Sequence, residues 1–559
     1  MIEDFRSTTC PGAFDADLCI IGAGPAGITI AREFAGTPWN VCLLESGGLR
    51  SERDSQALSA GVSVGPCALD PAGSRLRAFG GAARLWGGGV IPLSSLDMSA
   101  RDWVPDSGWP IGWDELAPYY LRATEACRVD PGELEDGGYL PPRRAGRRAA
   151  PSVNVDGRTN RISPLDYGRA HLDLMRSASN LRLLLHANLL RLEAVDGASA
   201  VRSALIGSLD GRRGRINARV FVLAAGGIEN ARLLLLSDDV ARNGLGNDRD
   251  LVGRYFMEHP RCAIGTFRSR GVSRLADWHS RPLDRAAAPA YQQLSLSVHA
   301  QHAHRLLNAR AWPFPIERPV PPGLQSLRAL RASLRRVDAA DESGQVEQEL
   351  LDALSQDLPV RPPAPVANAK RVRLALRTVL HGGDVVRAAC RKLVRRSPVE
   401  IDRVEMVGYF EQAPNRDSRV SLSQQRDALG SRMAQVDWRM SAIDEDSFRT
   451  SAGLIGRDVA AHFQCEFEPA RWLRDAGAKP RLHGTAHHLG TTRMSESPAS
   501  GVVDARCRVH GVDNLYVAGS SVFPTGGWAF PTLTIVALAL RITDDLRARL
   551  GEWSMLGML

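Results

Sequence analysis

Asp17-Leu-Cys-Ile-Ile-Gly22-Ala-Gly24-Pro-Ala26-Gly27-Ile-Thr-Ile-Ala-Arg-Glu-Phe34, followed by Asn40-Val-Cys-Leu-Leu-Glu45-Ser46-Gly-Gly48, decides the fold. A short apolar run enters Gly-x-Gly-x-x-Gly, apolar residues at helical spacing come next, and a second apolar run ends in an acid. That order is a βαβ unit that binds a dinucleotide. Gly22 permits the tight turn, Gly24 lets the backbone approach a pyrophosphate at the helix N-terminus, and Gly27 allows close helix packing. Glu45 is placed to accept hydrogen bonds from a ribose, with Ala26 and Ser46 in the same cradle. The unit by itself does not choose between FAD and NAD.

Length and composition bound the rest. The chain has 559 residues, too many for one compact domain and ample for two with sizeable cores. Its formal charge of +8 is carried almost wholly by arginine, the lysines being Lys370, Lys392 and Lys479. With Ala and Gly also abundant, this reads as the coding bias of a GC-rich genome, and without an aromatic-interleaved basic motif no nucleic-acid partner is expected. Nine scattered cysteines without C-x-x-C spacing indicate neither a metal site nor a disulfide framework, and imply a reducing compartment. The start, Met1-Ile-Glu-Asp-Phe-Arg, does not read as a secretory signal, and no long apolar span is seen, so a cytoplasmic protein without a transmembrane segment is expected.

A second glycine cluster, Arg77-Ala-Phe-Gly80-Gly81-Ala-Ala-Arg84-Leu85-Trp86-Gly87-Gly88-Gly89, suits backbone approach to a flat or anionic ligand, with Trp86 able to wall a ring. Strand-like Leu181–His186 and Arg219–Ala224 follow, and the latter runs through Ala225-Gly226-Gly227 into a helix at Ile228. Val404–Phe410, Ser418–Leu422 and Gln435–Arg439, separated by turn residues, read as one antiparallel meander. Near the end, Asn514–Ala518 reads as a strand leading through Gly519-Ser520 to a helix carrying Leu533, Ile535, Val536, Leu538 and Leu540. The nucleotide fold is thus expected to be assembled from the start, middle and end of the chain.

With His487-x-x-Gly490-Thr491-x-Arg493-Met494, Val252-Gly-Arg-Tyr-Phe-Met-Glu-His259-Pro, and Gly519-Ser-Ser-Val-Phe-Pro524 before Phe530-Pro531-Thr532-Leu-Thr534, the chain resembles the glucose-methanol-choline (GMC) oxidoreductases. The resemblance implies an α/β fold: a doubly wound FAD-binding domain from residues 1–99, 165–262 and 484–559. It implies a second, α+β domain for substrate, with an antiparallel sheet, from 100–164 and 263–483. It adds Leu189, Pro531 and Thr532 to the cofactor-binding residues. It also implies oxidation of a CH–OH group in a small molecule by hydride transfer to flavin N5, with His487 as base and His488 beside the substrate pocket or in packing. Relatives carry Asn or His where Phe530 stands, and a phenyl ring can neither donate to nor accept from an alkoxide. Three explanations stay open: another polar group such as His488, an easily oxidised substrate, or a different flavin reaction such as desaturation. A flavin-binding partner protein without turnover is the remaining alternative. With Arg84-Leu85-Trp86 where some relatives carry a linking His, FAD is expected to be non-covalent; the electron acceptor, oxygen, quinone or other, is left open.

Between residues 320 and 400, Leu324, Leu327, Leu330, Leu334 and Val337 fall at helical spacing, and Arg371–Arg377 with Arg387–Arg396 forms a second, basic amphipathic pattern. Two readings follow: a helical cap over the substrate entrance with a solvated basic face, or weak docking to an anionic membrane surface or an acidic carrier protein.

Overall fold

The run Ala13–Ile21 is a strand whose last four residues are buried, Pro25–Phe34 is the helix that follows, and Val41–Leu44 lies parallel to the first strand, Leu18 opposite Val41. The computed structural model describes residues 1–130, 132, 134–140, 150–269, 271–280, 282–284, 287–334, 342–355, 358–359, 371–393 and 399–555. The βαβ unit sits in an eight-stranded sheet in the order Ile2–Asp4, Leu181–Leu185, Val41–Leu44, Ala13–Ile21, Arg213–Leu223, Val201–Gly207 and Asn188–Ala194, with Leu515–Val517 also on Arg213–Leu223. Pairings from Ile2–Asp4 to Arg213–Leu223 are parallel, and the two beyond it are antiparallel. The last strand finds room because the antiparallel partner ends opposite Asn217, whereas Leu515 pairs with Phe221. Helices Pro25–Phe34 and Pro531–Met555 pack together, and Ile28, Ile30, Leu533, Val536 and Leu540 are fully buried in this first core.

A second sheet of seven strands is antiparallel throughout, in the order Glu466–Pro469, Arg261–Arg268, Ile401–Phe410, Ala309–Glu317, Ala290–Leu296, Val155–Ile162 and Gly89–Val90. One face is closed by the helix Ala442–Phe463, whose Phe448, Ala452, Ile455 and Val459 share a core with Phe267, Ala309, Ala311 and Phe410. The other face looks toward the nucleotide fold. Side chains alternate along a strand, so Ala309 and Ala311 serve the core while Arg310, Trp312 and Phe314 point away from it.

The expected single meander is split between two sheets. Ile401–Phe410 belongs to the seven-stranded sheet, whereas Arg419–Arg426 and Arg432–Asp437 pair with each other and, through Ala434 to Val436, with Gly61–Ser63. The cause is the connection. Glu411 is buried in an ion pair with Arg101 at 2.6 Å, and Gln412 accepts from Trp438 Nε1 at 2.9 Å and from Glu258 N at 3.0 Å. These contacts carry the chain across, and Val420, Ala434, Val436 and Trp438 are buried in the first core.

The 320–400 stretch is helical where it is described: Pro322–Leu334, Glu342–Ser355, Arg371–Leu380 and Gly382–Leu393. Val337, the Pro362–Pro365 breaker and Arg395–Arg396 lie outside the described residues. The first helix packs on the last two, and Leu324, Ala388 and Val399 form their shared core. Val372, Leu376, Val379, Leu380 and Leu393 are exposed. Glu342–Ser355 instead lies on the nucleotide fold, with Val346 and Leu350 buried against Leu76 and Ala78.

Candidate active site

A continuous cavity of about 640 Å³ runs from the glycine turn after Ile21 to the open face of the antiparallel sheet. Its nucleotide end is built by Gly22, Gly24, Ala26, Glu45 and Ser46, and its floor by Gly81, Trp86, Gly87 and Leu189. Ala225, Gly226, Gly519, Ser520, Pro531 and Thr532 complete that half. Gly80 and Gly88 do not line it. A Cβ on Gly80 would stand 2.8 Å from Gly168 N and one on Gly88 2.2 Å from Ser163 O, so both glycines shape the loop against its neighbours. Trp86 is held by its Nε1, which donates to Leu165 O at 2.9 Å.

The glycines divide in a way that tests the fit of a dinucleotide. A Cβ on Gly22 would lie 2.6 Å from Ala224 O and one on Gly27 1.9 Å from Gly22 O; the fold itself demands both. At Gly24, Gly87 and Gly226 a Cβ would meet no protein atom within 4 Å. These three face space that a ligand hugging the backbone would fill. The helix Pro25–Phe34 starts at Gly24 without a side-chain cap, so its first amides stand free for a phosphate. Glu45 is buried, accepting from Gly47 N at 2.9 Å and Ala23 N at 3.2 Å; burial raises its carboxyl pKa against the pull of those bonds. Arg75, Arg77 and Arg232 share the buried Glu229 carboxylate in the same wall, at 2.9, 3.2 and 2.6 Å.

At the other end stands His487. Its Nδ1 is 2.9 Å from Nδ1 of His259, the two rings meeting edge-on, and its backbone N–H donates to Glu258 Oε1 at 2.9 Å. Glu258 also accepts from Thr485 N, Thr485 Oγ1 and His259 N, and burial pushes its carboxyl up to about 7. Burial, then the neighbouring His259 and Arg310, holds the His487 imidazole well below its ordinary pKa; burial lowers that of His259 too. His487 is therefore neutral at physiological pH. Nε2 of His487 is the ring nitrogen left without a partner among the described residues. His488 turns from this pair: its ring lies 5.8 Å from that of Phe256, its Nε2 is 3.6 Å from Glu258 Oε1, and its carbonyl accepts from Ser520 Oγ at 2.7 Å.

Phe530 lines the cavity with its ring edge-on to His487, centroids 6.2 Å apart, and rests on Gly89, where a Cβ would come within 2.5 Å of the ring. The remaining wall comes from residues that sequence reasoning missed: Arg261, Arg310, Trp312 and Tyr409 from the sheet, with Leu354 from the end of the Glu342–Ser355 helix and Leu358 beyond it. Among the described residues, the basic helices Arg371–Leu380 and Gly382–Leu393 contribute none to the wall. No group of three metal-ligating side chains occurs among the described residues. No described helix is long and apolar enough to cross a membrane.

Comparison with known proteins agrees with this geometry. Residues 414–539 match the family model described as GMC oxidoreductase. Paromamine 6'-oxidase of Streptomyces fradiae is 26% identical, the alignment covering 95% of this chain and 92% of that protein. The chain is similar to the GMC oxidoreductases, by the family model over residues 414–539 and by this relative over nearly its whole length. Another relative is 2-methyl-1,2-propanediol dehydrogenase of Mycolicibacterium austroafricanum, 25% identical over 79% of this chain and 75% of that one. A fungal aryl-alcohol oxidase structure shares the fold, with a TM-score of 0.55 and 16% identity over 97% of this chain and 99% of that chain. The protein is thus an enzyme, an oxidoreductase and a flavoprotein similar to the GMC oxidoreductases.

Proposed function

We propose that the enzyme oxidises a CH–OH group of a small organic substrate, with His487 as the base that takes the hydroxyl proton and with FAD held without a covalent bond. The observation that carries this reading is the His487–His259 pair at the cavity wall. For Nε2 to accept a proton, Nδ1 of His487 must carry the hydrogen and donate it to Nδ1 of His259. The depressed pKa of both rings favours that neutral arrangement. His259 acts here as a positioning residue, fixing the tautomer and plane of the base, while Glu258 anchors the backbone of both histidines. When bound, FAD supplies the hydride acceptor. Gly24, Gly87 and Gly226 would give its backbone-close parts room, and the uncapped helix amides would receive its pyrophosphate. The loop from Gly80 to Gly89 contains no His or Cys to form a link. Phe530 lets an apolar group sit beside the reacting carbon. The test is anaerobic addition of primary and secondary alcohols and hydroxy acids to the yellow protein: bleaching by at least one class is expected, and its absence across the panel would favour a flavin-binding role without turnover. Acid precipitation should release the flavin into the supernatant.

A further inference from the structure

Arg261, Tyr409 and Arg310 stand directly opposite one another on three neighbouring strands, in the register Arg261↔Tyr409↔Arg310. Directly opposed residues share a face of the sheet, and all three line the cavity. The Arg310 guanidinium carbon lies 3.9 Å from the Tyr409 ring centroid and 4.6 Å from that of Phe530, so the group is held by two aromatic faces. Arg310 is 3% exposed. Its Nη1 donates to Gln293 Oε1 at 3.3 Å, and its Nε has no partner among the described residues. Burial lowers its pKa to about 10, which still leaves it charged at neutral pH.

A buried cation ordinarily has an anion beside it. The acids nearby are otherwise engaged: Glu411 pairs with Arg101 at 2.6 Å, and Glu258 is occupied by the backbone of Thr485, His259 and His487. The acids that line the cavity, Glu45, Glu229 and Asp427, belong to its nucleotide half, where Glu45 is held by backbone amides and the other two by Arg75, Arg77 and Arg232. Arg261 adds a second positive charge on the same face, its Nη2 donating to Leu354 O at 2.7 Å. Around the two arginines the wall is apolar and aromatic: Trp312, Phe314, Leu354 and Phe530.

We infer that Arg310, supported by Arg261, is the binding site for a carboxylate on the substrate, so that the enzyme takes a hydroxy acid with an apolar or aromatic body. This rests on the proposed CH–OH oxidation, whose base stands across Phe530 from Arg310. A guanidinium suits a carboxylate because its planar donors match the two oxygens. The carboxylate supplies the missing counter-charge, and the aromatic wall receives the body.

The test is equilibrium binding to the flavin-loaded enzyme, followed by calorimetry and by perturbation of the flavin spectrum. The probes are benzoate, its neutral isostere benzamide and the cation benzylamine. Benzoate should bind about tenfold or more tightly than benzamide, as expected for a charged hydrogen bond in a buried site, and benzylamine should bind most weakly. Arg310→Gln should remove the preference for benzoate while leaving benzamide within about threefold, and Arg310→Lys should restore part of it. Equal binding of benzoate and benzamide to the wild-type enzyme overturns the inference without any variant. An unchanged preference in a flavin-loaded Arg310→Gln protein overturns it as well. Turnover is not needed for this readout: failure of flavin reduction by alcohols would refute the proposed oxidation and leave the anion site standing, and the converse also holds.

Discussion

Exchanging two neighbouring glycines for alanine separates what the fold requires from what the ligand requires. Gly24 has φ −86° and ψ −171°, a conformation open to alanine, and a Cβ there meets no protein atom within 4 Å. Two small terms of opposite sign then act on the apoprotein. Loss of unfolded-state freedom stabilises by about 0.4–1 kcal/mol, and a poorer helix N-cap costs up to about 1 kcal/mol. The apo melting temperature of Gly24→Ala should accordingly stay close to wild type. The added methyl group instead enters the space kept for the pyrophosphate, so flavin affinity should fall by about tenfold or more, the equivalent of about 1.4 kcal/mol. At Gly27 the same change places Cβ 1.9 Å from Gly22 O, inside the turn itself. Forcing that contact open costs at least about 1–3 kcal/mol, and apo stability should drop together with flavin binding. The assays are thermal unfolding of the apoproteins and quenching of flavin fluorescence on titration. Normal flavin affinity in Gly24→Ala, or an equal loss of apo stability in both variants, would mean that Gly24 is not kept open for the flavin.

Three other outcomes are expected. Phe530→Asn should speed flavin reduction by simple alcohols by about tenfold or more, through a polar contact to the reacting oxygen, and slow it with the native substrate; stopped-flow absorbance checks this, and no gain with any alcohol would show that a second polar contact is supplied elsewhere. With the neutral imidazole as the proposed base and its pKa depressed, flavin reduction should be flat as pH falls from 8 through 6.5 and decline only well below; a loss of half the rate near 6.5 would mean that burial does not control His487. Arg373→Gln with Arg377→Gln, on the exposed basic helix away from the cavity, should leave flavin reduction unchanged; co-sedimentation with anionic vesicles that is lost in this double variant would favour surface docking, and its absence in the wild type would exclude it.

The nucleotide half was legible because its constraints are local. A turn that admits no Cβ at Gly22 and Gly27 needs glycine whatever surrounds it, and alternating runs of apolar residues carried the strands with it. The substrate half was not, because its side chains come from strands far apart in sequence. His259 lies 228 positions from His487, and no spacing rule joins them. Arg310 sits in Ala309–Glu317, where Pro313 and Pro315 argue against a strand. The sheet tolerates them because the neighbour Ala290–Leu296 pairs only through Ala311, leaving that side open beyond it. The split of the expected meander has the same origin. Turn residues announced that the chain reverses, but buried contacts of Glu411 and Gln412 decided which sheet it joined.

His487, held by His259, is the proposed base. Single-turnover flavin reduction by a reactive alcohol, measured anaerobically with His487→Ala and His488→Ala alongside the wild type, tests it most directly. His487→Ala should retain its flavin and slow reduction by roughly 10²–10⁴-fold, while His488→Ala should slow it far less. A larger loss in His488→Ala, or near-normal reduction in His487→Ala, would mean that His487 is not the base.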